Sequence, residues 1–359
     1  MKRLPSLYGL RAISILMVML AHFQLKYRLS IPFPYNFFCD GQLGVNIFFV
    51  MSGFLITKLL LEEELATGNI SLKGFYRRRI IRIFPAYYFL LFVYLILQLV
   101  DLIHLSKGSW LSSIFFVKYL YMTDYETDHF WTLSMEENFY LLFPVCLIYW
   151  RKHIDRLLMR GIILVALIRL VCYRYNFLPN GVNQNIFMRG DALLIGCLFA
   201  LHEQKAKAMI ASVVRKTGAA GCVGLILLSL YAVYALDSWN YTHGLHLWFI
   251  MYPIGGTTGT VANFLIGFLL LASMNEKTRW YSFLNLPVME YFGKLSYSLY
   301  LWQELFILCL PSVRLLHFWP VCLLASLIAA NLSYYGIEKP FLRWGSRSGA
   351  RDGFLQAVR

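Results

Sequence analysis

Apolar residues run through this chain in long blocks, separated by short segments rich in charge, glycine or proline. About 20 apolar residues at 1.5 Å rise cross a hydrocarbon layer. On that measure the blocks predict ten helices, near 8–27, 42–61, 80–103, 132–150, 160–174, 188–202, 218–236, 247–273, 293–312 and 319–336. Several are short for a crossing, and 188–202 is expected to be a partial helix packed inside the bundle. The block 247–273 holds Pro253, Gly255, Gly256 and Gly259 and is expected to break. The stretch 112–123 reads as re-entrant or interfacial. No fixed-period repeat and no low-complexity linker appears. The expected fold class is all-α, a polytopic membrane bundle of about ten helices.

Composition sharpens this. Of 359 residues, 59% are hydrophobic and 14% charged, against about 25% charged in a soluble domain. The chain divides into an integral membrane domain, 1–344, and a basic tail, 345–359. The basic start and apolar stretch of 1–23 read as a retained first helix rather than a signal peptide, because Lys26 and Arg28 follow without a small-residue cleavage site. With the N-terminus inside, 22 Lys and Arg fall in inner loops and tails and seven in outer segments. That bias places both termini in the cytoplasm. The net charge of +14 is then mostly topology and attraction to the lipid bilayer. Nucleic-acid binding is excluded as a reading because the basic residues are split among short loops. The seven cysteines are scattered without a CxxC pair, so neither a disulfide framework nor a metal site is expected.

Ionisable residues inside the apolar blocks carry the candidate chemistry. Arg11 and His22 stand eleven residues apart in the first block. Eleven steps of about 100° end about 20° past three full turns, so the two share a face at roughly 16 Å separation. Something anionic held near one end and proton chemistry further in would use that face. In the second block Gly44, Ser52 and Gly53 suit close helix packing as well as function. Phe75 to Tyr88 carries Arg77, Arg78, Arg79 and Arg82. Arg78 and Arg82 are four apart and share a face; Arg79 and Arg82 are three apart and nearly do. These arginines serve as a topology signal or as guanidiniums that grip phosphate groups at a membrane mouth.

The fourth block opens with Trp131, Ser134, Glu136, Glu137 and Asn138. Trp131, Ser134 and Asn138 form an i, i+3, i+7 stripe. The two glutamates point about 100° apart and cannot both face one ligand; helix capping accounts for one of them. Arg189 and Asp191 form either a local ion pair or a polar entrance to the sixth block. Ser296, Tyr300 and Gln303 line one face of the ninth, and Glu338 and Lys339 close the tenth. No Ser-His-Asp elbow, Walker loop or metal-ligand spacing is present. A buried histidine, inward carboxylates and a basic mouth are the parts that acyl transfer from a phosphate-bearing thioester to a hydroxyl requires.

These segments resemble, in order, the acyltransferase-3 family of integral membrane acyltransferases. The resemblance is carried by Leu7 to Arg11 with His22, Gly44 to Ile56, Phe75 to Pro85, Trp131 to Glu137, Arg189-Gly-Asp191 and Tyr297 to Trp302, and it spans about residues 4–344. It implies an acyl-CoA donor, typically acetyl-CoA, and a hydroxyl acceptor on a saccharide or lipid-linked glycan, as in exopolysaccharide or O-antigen modification. It further implies His22 and Arg11 as catalytic residues, with Glu137 preferred over Glu136 beside them. Arg78, Arg79, Arg82 and Arg11 are expected to hold the donor. Trp131, Ser134, Asp191, Tyr300 and Gln303 are expected on the substrate side. Gln303 stands where many members have histidine, so it can donate a hydrogen bond but not act as a base. The chain is expected to be the stand-alone form without the fused esterase-like domain of some relatives. It would act in the plasma (inner) membrane on the acceptor directly, or through a partner from a polysaccharide assembly pathway. The rival class is a transporter or flippase of a lipid-linked saccharide, whose common inverted halves are not detectable here.

Overall fold

The computed structural model describes residues 6–29, 31–32, 35–121, 124–175, 186–243, 256–310 and 313–348. Among them all regular structure is helical. The helices are α1 (Ser6–Tyr27), α2 (Gly41–Thr67), α3 (Leu72–Leu99), α4 (Lys107–Ile114), α5 (Phe130–Tyr149), α6 (Ile154–Tyr175), α7 (Ile186–Leu201), α8 (Glu203–His243), α9 (Thr260–Ala272), α10 (Arg279–Leu284), α11 (Pro287–Glu304), α12 (Trp319–Ser333) and α13 (Lys339–Ser348). Among the described residues five helical segments are long and apolar enough to cross a membrane: α1, α2, α3, Glu203–Trp239 of α8, and Trp319–Gly345.

Each expected apolar block has a helix in the structure, and the differences lie at the ends. The third begins at Leu72, because Ser71 caps it by accepting from the Gly74 amide at 3.1 Å. Helix α3 then runs through Pro85, so the arginines from 77 to 82 stand on its first turns. Gly218, at φ 75° and ψ 165°, interrupts α8 where the seventh block was expected to start. Of the block 247–273, residues 247–255 lie outside the described residues, and the helix runs from Thr260. The stretch 112–123 holds the end of α4 and a short 3-10 turn, Lys118–Leu120, whose lysine is fully buried. The expected tail boundary at 344 falls inside α13.

Contacts along the helices give their directions. Gly293 of α11 rests on Tyr8 of α1 near both starts, and Gln303 meets His22 near both ends, so α1 and α11 run parallel. Helix α2 runs back against α1, with Gly44 on Ser14 and Gly41 on Ala21. Helix α5 runs back against α11, pairing Thr132 with Tyr300 and His129 with Glu304. Helices α2 and α7 are parallel and nearly touch backbone to backbone. A β-carbon at Gly53 would fall 2.0 Å from the Leu193 carbonyl, and one at Gly196 2.1 Å from the Val50 carbonyl. The frame around the site is therefore α1, α2, α3, α5 and α11. The end where α1 begins is called the basal end below.

Two short π-helical segments bend this frame. One, Leu305–Cys309, follows α11, and the other, Tyr334–Glu338, follows α12. Such insertions turn the following side chains out of helical register and often occur at functional sites. The first directly follows Gln303 and Glu304. The second ends on Glu338, which is buried and accepts from the Ser298 hydroxyl.

Candidate active site

Three arginines from two helices converge on one cavity of about 80 Å³ near the basal end. Arg11 of α1 and Arg79 and Arg82 of α3 line it, with Ser52 of α2 and Glu136 of α5 opposite. Arg79 and Arg82 reach it together because residues three apart on a helix share a face. The Arg79 guanidinium lies 4.8 Å over the Tyr140 ring and 5.6 Å over Phe75, which hold its planar group in place. Glu136 accepts from the Ser52 hydroxyl at 2.7 Å and lies within electrostatic reach of Arg11 and Arg79. Among the described residues the buried Nε of Arg11 has no hydrogen-bond partner. Three guanidiniums facing one carboxylate on the wall make a positive pocket, with Glu338 within reach of Arg82 and Arg11 from behind. Such a pocket attracts an anion that can take several N–H donors at once.

The polar path continues away from the basal end. Thr132 and Tyr300 line the cavity, and their hydroxyls lie 2.5 Å apart. The Tyr300 hydroxyl donates to the backbone carbonyl of His129. The His129 ring in turn places Nδ1 3.0 Å from the Glu304 carboxylate, with both side chains buried. Glu304 is within electrostatic reach of His22. His22 places Nδ1 3.0 Å from Oε1 of Gln303. With Nδ1–H donating to that oxygen, Nε2 keeps its lone pair and can accept a proton. In the loop before α5, burial pushes the Asp128 carboxyl up to about 6, against the attraction of Lys118 at 3.7 Å.

Several expected site residues stand elsewhere. Arg78 is turned away from the cavity toward α2, 2.7 Å from Glu63. It precedes Arg79 by one residue, which is about 100° around the helix. Glu137 is likewise off the cavity wall, and its neighbour Glu136 occupies that wall. One oxygen of Glu137 is buried without a hydrogen-bond partner among the described residues, and Arg79 is within its electrostatic reach. Trp131 packs edge-on against Phe49, and Arg189 stacks 5.6 Å over its ring. Ser134 accepts from the Lys118 amide at 3.3 Å, and Asn138 donates to the Phe116 carbonyl at 2.7 Å. The stripe of Trp131, Ser134 and Asn138 thus anchors neighbouring segments. Asp191 binds Arg169 of α6 at 2.7 Å and Thr260 of α9 at 2.7 Å, while Arg189 donates to Gln42 and Asn46 of α2. These contacts tie four helices together.

The structure adds Ser52, Tyr140, His129 and Glu304 to the site. His129 and Glu304 carried a usable signal, since an ionisable group at the end of an apolar helix is a functional candidate. Their pairing spans 175 residues and has no local signature.

The acyltransferase domain model of the acyltransferase-3 family matches residues 4–336, and the chain belongs to this family. O-acetyltransferase OatA of Staphylococcus aureus strain NCTC 8325 is 28% identical to it over 97% of this chain and 58% of the relative. A protein of Staphylococcus aureus strain COL named "Putative O-acetyltransferase SACOL0978" is 29% identical, over 97% of this chain and 59% of the relative. The chain thus spans less than two thirds of the length of these relatives. No solved structure matches it significantly.

Proposed function

We propose that this protein is a membrane-embedded O-acyltransferase that moves an acyl group, in the first instance acetyl, from acyl-CoA to a hydroxyl of a saccharide or lipid-linked glycan. In this reading its apolar helices form a bundle of about ten spans in the plasma membrane with both termini in the cytoplasm, an orientation that the basic excess at the basal end favours. The observation that carries the reading is the series of polar groups from the Arg11, Arg79 and Arg82 cavity, through Thr132 and Tyr300, toward His129, Glu304 and His22.

The residues fit an acyl-CoA donor. The guanidiniums of Arg79 and Arg82 offer paired donors to its phosphates from the cytoplasmic side. At about 80 Å³ the cavity has room for only a short segment of the thioester arm, so the nucleotide stays at the basal mouth. Arg11, with its unpartnered Nε, draws the donor inward. His22 removes the proton from the acceptor hydroxyl as the oxygen attacks the thioester carbon. The carbon–sulfur bond then breaks, and the thiolate takes the proton from the His22 imidazolium. Glu304 lies close enough to stabilise that imidazolium while it lasts. Glu136, held by Ser52, keeps the arginine side chains oriented between turnovers.

The test is release of free CoA from acetyl-labelled acetyl-CoA by purified protein in lipid vesicles, with and without a glycan-lipid extract. The expected result is release that rises with the extract, vanishes in His22→Ala, and falls strongly in Arg79→Ala with Arg82→Ala. Folded wild type that neither binds nor cleaves the donor overturns the proposal and leaves the flippase reading.

A further inference from the structure

Gln303 is fully buried at the end of α11, and only one end of its amide is used. Its Oε1 lies 3.0 Å from His22 Nδ1, while its Nε2 is buried with no hydrogen-bond partner among the described residues. The two amide heteroatoms are held by the short bonds of one planar group, so Nε2 lies no more than about 5 Å from the His22 ring. Leaving a buried N–H unpaired is unfavourable, and such groups persist where function uses them. An unused donor therefore stands beside the candidate base. Glu304, the next residue, cannot serve, because an ionised carboxylate only accepts and this one already faces His129.

We propose that Gln303 works with both ends of its amide: Oε1 fixes the tautomer of His22, and Nε2 donates to the thioester oxygen as it becomes an oxyanion. The inference rests on the acyl-transfer reading above and assigns a catalytic residue to it. In the step, the acceptor oxygen bonds to the thioester carbon and the carbonyl π pair moves onto oxygen, where the Nε2–H meets it. The pair returns as the carbon–sulfur bond breaks. A donor placed for the oxyanion strengthens its bond only as charge develops, so it acts on kcat rather than on donor binding.

The two ends of the amide are separable by substitution. Gln303→Glu keeps an oxygen acceptor for His22 Nδ1–H and removes the N–H donor. Gln303→Leu removes both, and Gln303→His puts an N–H back. Each variant is compared with wild type in vesicles by CoA release at pH 8, with its folding checked by thermal unfolding. The expected result is a loss in kcat of about 10²–10³-fold in both Gln303→Glu and Gln303→Leu. KM for acetyl-CoA stays within about twofold, and Gln303→His recovers at least about tenfold over Gln303→Leu. Gln303→Glu at wild-type kcat would show that the side chain only positions His22 and would overturn the inference, while leaving the acyl-transfer reading intact. A rise in KM at unchanged kcat would overturn it as well, by making Gln303 a ground-state contact. Should Gln303→Leu fail to fold, Gln303→Glu decides alone. Wild type without His22-dependent release overturns the reading beneath, and the inference with it.

Discussion

At the level of single residues, the basic cluster on α3 divides its labour. Arg79 and Arg82 face the cavity, while Arg78 faces Glu63, whose other oxygen accepts from the Ser71 amide at 3.2 Å. Arg78 thus ties the start of α3 to α2. Arg78→Ala leaves Glu63 buried beside an unmade ion pair, and because Arg78 is partly exposed the loss is about 1–2 kcal/mol. The expected outcome is a lower thermal midpoint with an unchanged KM for acetyl-CoA. If Arg79 holds the donor as proposed, Arg79→Ala removes a charge-assisted bond to it and raises that KM about tenfold or more. Steady-state kinetics and thermal unfolding of the two variants check the contrast, and equal effects on KM would refute the division. The arginines were legible in the sequence as a group and as phosphate-binding candidates. The sequence does not show which of them turns inward, because Arg78 and Arg79 each share a face with Arg82 or nearly so. Glu63, fifteen residues earlier on another helix, decides it. The choice between Glu136 and Glu137 is of the same kind: their adjacency guarantees that they diverge, and Ser52 on α2 marks the one on the cavity wall.

At the level of helices, positions follow from where backbones approach. The apolar blocks made the helices legible, because a run of apolar residues needs a buried or lipid-facing surface along its whole length. The pairing of helices was less so. Glycines in the second block suggested close packing, but its partner, α7, is set by Gly53 meeting Leu193 and Gly196 meeting Val50, together with Arg189 on Gln42 and Asn46. Gly53→Ala would set a β-carbon 2.0 Å from a backbone oxygen, which no rotamer relieves. The two helices must then separate, at a loss of about 2–3 kcal/mol. Gly224 on α8 is exposed, with nothing within 4 Å of its would-be β-carbon. Gly224→Ala should instead stabilise by about 0.5–1 kcal/mol through helix propensity alone. Thermal unfolding in detergent measures both, and a Gly53→Ala protein as stable as Gly224→Ala would contradict the backbone contact. Gly293 sets the register of α11 against α1 by the same kind of contact with Tyr8. That register brings Gln303 level with His22, so a packing contact at the basal end sets the pair proposed for the chemistry at the other.

At the level of the whole molecule, orientation decides whether the basic cavity can meet the proposed donor. The arginines that line the cavity stand toward the end where α1 begins, and the polar groups run from there toward His129, Glu304 and His22. The proposed donor, acyl-CoA, is a cytoplasmic metabolite class with several phosphates, so the proposed path serves only if the basal end faces the cytoplasm. The charge bias of 22 basic residues against seven, only two of them lining the cavity, argues for that orientation as well. Two exposed lysines at opposite ends make the orientation measurable. Lys73 lies in the first turn of α3 at the basal end, and Lys107 begins α4 at the other. All seven cysteines are buried or half-buried, so background labelling by a membrane-impermeant thiol reagent is low. In intact cells Lys107→Cys should be labelled and Lys73→Cys should not. Permeabilising the membrane should make Lys73→Cys react as well. Labelling of Lys73→Cys in intact cells would turn the arginine cavity toward the outside, where no acyl-CoA is supplied, and the path could then work only in the opposite direction, as a route for an anionic substrate entering from without.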